Sequence, residues 1–217
     1  MLGDERPGMA RSTSSTSVRG VLKETTEPAV SPAKAEAAPQ TAPKPAPEEG
    51  SSSEDKDAGF LMHPKGVYIV ISENKHFTEK FHWGIIVARS QNEGILYHRV
   101  FDGSDWVLEI EEHKDIPADK SVMVILKVGD VPEVTPQWIE AIQECIVTAQ
   151  VPRMTMGPVT CRTFALAAAY EMGNGGFTNL YPNWSKVKGI EREGNQFAWH
   201  ASNLGRRLVV ASQWCDL

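Results

Sequence analysis

Between residues 67 and 128 the chain breaks into short apolar runs, each closed by a cluster of turn-forming residues, and this punctuation limits what it can fold into. Such runs have the length of strands and are too short for amphipathic helices. Residues 67–72, rich in Val and Ile, read as a strand, and Ser72, Glu73, Asn74 and Lys75 supply turn chemistry. Residues 81–88 and 94–101 read as two more strands, joined by Arg89, Ser90, Gln91, Asn92 and Glu93 as a hairpin loop. A fourth strand is expected over residues 105–111, after the turn at Asp102, Gly103 and Ser104, and a fifth over 121–128, ended by Gly129 and Asp130. Together they predict an antiparallel sheet.

The pattern then changes period. Thr135 has the character of an N-cap, with Pro136 at the first helical position, where a missing N–H costs nothing. Trp138, Ile139, Ile142, Cys145, Ile146 and Ala149 recur at helical spacing, which predicts a structural Cys145 on a buried stripe. A second helix is expected within the stretch 158–172, with Pro158 outside it, Thr160 as N-cap and Cys161 in the first turn ahead of an alanine run. Gly173, Asn174, Gly175 and Gly176 stop that helix; with no Lys-Ser or Lys-Thr pair after them they are not a phosphate loop. Beyond them, Pro182, Asn183 and Trp184 look loop-like, residues 196–204 suggest a short helix and residues 207–212 a last strand. The expected class is α+β, an antiparallel sheet with the Cys161 helix packed on it, over residues 60–217.

Residues 1–59 contain no aromatic residue and no cysteine, and Pro, Ser, Thr, Ala, Glu and Lys dominate. A segment of this kind cannot bury enough apolar area to offset its conformational entropy, so the sequence predicts a disordered tail, able to serve as a docking arm for a protein partner. The formal net charge of −6 and the absence of a basic cluster argue against a nucleic-acid partner. Three widely spaced cysteines form neither a disulfide framework nor a zinc-finger spacing, which fits a reducing compartment. No run approaches the roughly twenty apolar residues of a membrane span, and no apolar core of a secretory signal is present at the N-terminus. Cytoplasm, or cytoplasm plus nucleus, is the expected location, and neither a cofactor nor a metal is expected.

The chemistry centres on three residues. A cysteine in the first turn of a helix faces unpaired N–H groups and the positive end of the helix dipole, which favours the thiolate; Arg162 adds a second positive charge. Along a strand side chains alternate faces, so His82, Gly84, Ile86 and Ala88 share one side, and an odd-numbered hairpin loop places His98 on the face of His82. Gly84 and Ala88 are small, as are Ala165 and Ala168 on the helix. Small against small would let the helix approach that face and bring Cys161 to His82, the geometry of a thiol nucleophile, a base and a third group that orients the base. The acidic residues Asp102, Asp105, Glu109, Glu111, Glu112 and Asp115 read mainly as a solvated strand face, and His113 and His200 have no partner at a ligand spacing.

The residues from His82 to Val87, then Tyr97 and His98, then a helix, then Cys161, Arg162, Thr163 and Phe164 resemble the circularly permuted papain-like fold of the NlpC/P60 superfamily. The match is nearest its lecithin:retinol acyltransferase-like branch, with the PPPDE peptidases as relatives. The resemblance implies Cys161 as nucleophile, His82 as base and His98 as the orienting residue, acting on an amide or ester of a small molecule, lipid or peptide through a thioester. The family pattern has Asn before the cysteine and His two residues after it, where this chain has Thr160 and Thr163. Those departures make a catalytically inert papain-like binding module the alternative.

Overall fold

The computed structural model describes residues 60–74 and 79–215; the tail expected over residues 1–59 lies outside the described residues. The elements run β1 Gly66–Glu73, β2 Phe81–Ala88, β3 Gly94–Phe101, β4 Trp106–His113, β5 Val122–Asp130, α1 Pro136–Val147, α2 Arg153–Met156, α3 Cys161–Asn174, α4 Trp184–Leu204 and β6 Leu208–Ala211. The strands form one six-stranded sheet in the order β4-β3-β2-β1-β5-β6, antiparallel except for the last pair, in which β6 runs parallel to β5. The domain is therefore α+β, with the expected antiparallel sheet and the Cys161 helix packed on it.

The turns explain the register. In the β3–β4 turn, Asp102 Oδ1 accepts from the N–H groups of Ser104 and Asp105 at 2.8 and 2.9 Å, an Asx turn in which a side chain replaces backbone. Gly103 sits there at φ 104°, a conformation that glycine adopts without steric cost.

One face of the sheet is dry. Ile69, Ile71, Trp83, Ile85, Val87, Tyr97, Val124 and Leu126 pack there against α3 and α4, and α1 lies on α3. Nine residues of α3 are buried, so this helix has no solvent stripe and its alanines allow close packing on every side. A reciprocal cap starts it: Thr163 N–H donates to Thr160 Oγ1 at 3.3 Å, and Thr160 N–H donates to Thr163 Oγ1 at 2.8 Å. The other face carries a smaller cluster of Phe60, Met62, Tyr68, Val70, Ile86, Ala88, Ile116, Val122 and Ile125. Chain before β1 and the 3-10 turn Ile116–Ala118 supply part of it, and among the described residues no long helix covers it.

Three expectations are corrected. The helix near the C-terminus runs through 21 residues from Trp184, where the sequence suggested a loop followed by a short helix at 196–204. Asn183 caps it, accepting from Ser185 N–H at 2.7 Å, and Gly189 and Gly194 are admitted because Trp214 and Trp83 press against the helix where a Cβ would stand. Cys145 is only partly buried, at the edge of the α1 stripe formed by Ile139, Ile142 and Ile146. Gly84 and Ala88 do not meet Ala165 and Ala168: Gly84 leaves room for Leu96 and His98, Ala88 belongs to the smaller cluster, and α3 packs on the opposite face. Among the described residues no helix is long and apolar enough to cross a membrane.

Candidate active site

The β2–β3 hairpin pairs Gly84 with His98 and Ala88 with Gly94, so the five-residue loop does place His82 and His98 on one face. Their rings meet edge to face, with centroids 5.0 Å apart, and His82 Nε2 lies 2.7 Å from His98 Nδ1. Both line a cavity of about 210 Å³ with Val70, Ser72, Ile86 and Leu96 on its floor and Glu111 and His113 at its side. Burial, with the electrostatic influence of the neighbouring His98 ring as a second cause, lowers the His82 pKa to about 4, against the opposing pull of Glu111. His82 is therefore a neutral imidazole near pH 7, hydrogen-bonded to its neighbour.

Cys161 stands elsewhere. It is fully buried in the core shared by Trp83 and Phe164, on the face covered by the helices. Since Trp83 turns toward α3, its neighbour His82 turns away, into the cavity. Among the described residues no hydrogen bond joins the Cys161 sulfur to either imidazole; its partners are the backbone N–H groups of Trp83 and Arg162, and the charges it feels are those of Glu79 and Arg162.

The helix start acts on the thiol in the expected sense, but burial opposes it. Burial pushes the Cys161 pKa up, and the two backbone hydrogen bonds and the Arg162 charge only partly oppose it. Arg162 is itself engaged, 3.5 Å from Glu191 and 4.0 Å from Glu79. Thr163, which stands where the resembled family has a histidine, is occupied with capping, and its Oγ1 also donates to the Pro158 carbonyl at 2.9 Å.

No family model, curated protein or solved structure matches this chain.

The sequence reading missed what stands beside His98. Its Nε2 lies 3.4 Å from Glu111 Oε1 and 3.9 Å from Glu109 Oε2, and His113 Nε2 lies 3.4 Å from Asp119 Oδ2 in the same cavity. The signal was available in the β3–β4 turn. It pairs Phe101 with Trp106, so odd-numbered residues of β4 oppose even-numbered residues of β3, and Glu109 falls opposite His98. The acidic run is thus split: Glu109 and Glu111 share the face of His98, while Glu112 points the other way and pairs with Arg89 at 2.9 Å. His200 lies on α4, outside the cavity.

Proposed function

We propose that this domain is a binding module, a papain-like order of elements whose cysteine no longer performs acyl chemistry, and that the histidine-lined cavity is where it binds. The observation that carries the reading is the separation of the two halves of the expected site: a buried thiol with a raised pKa on the helix face, and a neutral His82 beside His98 on the cavity face. A thiol nucleophile needs a base within hydrogen-bond reach, and a base serves best when its pKa lies near the working pH. Cys161 lacks the first, and His82 the second.

The cavity suits a small ligand with one polar end. Val70, Ile86, Leu96, Ile116 and Val122 offer apolar surface, while His82, His98, His113 and Glu111 converge at its polar side. Acylation tests the reading: incubated with p-nitrophenyl acetate, the protein is expected to show no acetyl adduct on Cys161 by intact mass and peptide mapping. A stoichiometric acetyl-Cys161 would restore the hydrolase or acyltransferase reading.

A further inference from the structure

The β3–β4 ladder gathers three ligand-bearing side chains. His98 is paired with Glu109, and Glu111, two residues along, projects from the same face. One ligand atom from each lies within 4.8 Å of the others. Two donors bound tetrahedrally at about 2.0–2.2 Å from one ion stand about 3.3–3.5 Å apart, so the observed 3.4 and 3.9 Å separations need little adjustment.

Two exposed carboxylates alone would carry nothing; the imidazole decides it. His98 is 8% exposed, and its Nε2 is buried without a hydrogen-bond partner among the described residues although it faces both carboxylates. A buried polar atom in that condition calls for an explanation. Its other ring nitrogen is engaged, 2.7 Å from His82 Nε2. When His98 Nδ1 donates to His82 Nε2, the Nε2 lone pair is directed at the two carboxylates, which together form a donor set that a cation can take. Metal-ligating histidines characteristically donate their second N–H to an outer partner in this way.

We infer that His98 Nε2, Glu109 and Glu111 bind a divalent first-row transition metal, Zn²⁺ foremost, with its remaining positions open to water and to the cavity. One imidazole and two carboxylates suit Zn²⁺, Co²⁺ or Mn²⁺ better than Cu⁺, which prefers sulfur, or Ca²⁺, which takes oxygen alone. The site names a ligand for the cavity and so rests on reading that cavity as a binding site; Cys161 takes no part in it.

The test uses the full chain, stripped with a chelator and titrated with Zn²⁺ by calorimetry and with Co²⁺ by absorption. One equivalent of Zn²⁺ is expected to bind. A Glu109→Gln/Glu111→Gln double variant, altering two side chains about half exposed, should melt as wild type does and bind at least about tenfold more weakly. His82→Ala, which removes only the outer partner, should weaken binding by about ten- to a hundredfold. The Co²⁺ complex should show d–d bands without a sulfur-to-cobalt charge-transfer band. Failure to bind one equivalent, a double variant that binds like wild type, or a sulfur-to-cobalt band would each overturn the assignment. Acylation and alkylation of Cys161 play no part in these readouts, so the inert-thiol reading stands or falls separately.

Discussion

Cys161 and His82 meet the same end of β2 from opposite faces: the sulfur accepts from the backbone N–H of Trp83, and the imidazole one residue earlier turns into the cavity. The strand period of two makes this separation unavoidable once Trp83 packs under the helices. A one-residue slip of β2 would exchange the faces, but it would also bring Trp83, Ile85 and Val87 out of the core, which the burial of all three forbids.

The wall of the cavity depends on Arg207. Its guanidinium donates to the carbonyls of Pro117 at 2.6 Å, Val122 at 2.9 Å, Asp119 at 3.0 Å and Ile116 at 3.2 Å, and it lies 3.7 Å from the Phe60 ring centroid. Ile116 and Asp119 line the cavity, so this residue fixes the turn that closes it. Arg207→Ala should lower stability by about 3 kcal/mol in urea titrations, and Arg207→Lys should recover less than about half of that, because a lysine lacks the planar fork. A loss below about 1 kcal/mol for the alanine variant would contradict the bracing role.

Tyr97 sets an alkaline limit. Burial pushes its pKa up to about 12, and its hydroxyl has no hydrogen-bond partner among the described residues. The folded state keeps the phenolic proton while the unfolded chain releases it above about pH 10, so stability should fall as pH climbs from about 10 to 12, by on the order of 2–3 kcal/mol. Tyr97→Phe should remove that contribution to the alkaline slope and leave stability at pH 7 unchanged or slightly higher. An unaltered slope in the variant would exclude Tyr97 as its source.

Gly194 lets α4 settle on the sheet. A Cβ there would stand 2.6 Å from Trp83 Cη2 and 3.1 Å from Ile71 Cδ1. Gly194→Ala gains about 1 kcal/mol in helix propensity but overpacks a junction where extra methyl groups cost about 1–3 kcal/mol, so a net loss of about 1 kcal/mol is expected by urea denaturation. Stabilisation would mean that Trp83 moves aside freely.

Local chemistry was legible in the sequence wherever the pattern itself carried the answer. The β2 and β3 bounds, the Thr160 cap and the shared face of His82 and His98 follow from turn residues, capping residues and loop parity. The face that α3 would choose was not legible. Gly84 and Ala88 invite a helix by their size, yet Trp83, Ile85 and Val87 bury more apolar area, and that greater hydrophobic gain decides the face. The length of α4 was hidden by its two internal glycines, each unfavourable to an isolated helix and accommodated only because a tryptophan lies against it. Glu109 and Glu111 looked like solvated charge because their relation to His98 exists only across the ladder.

That Cys161 and His82 form no catalytic pair is tested most directly by the iodoacetamide alkylation rate of Cys161 against pH, in wild type and in His82→Ala. Burial raises the thiol pKa, so the wild-type profile should inflect above the value of about 8.5 typical of a free cysteine, with little reaction at pH 6. Since no hydrogen bond links the sulfur to His82, the His82→Ala profile should coincide with it. A wild-type inflection below about 7 that moves up toward about 8.5 in His82→Ala would establish a thiolate–imidazolium pair and contradict their separation.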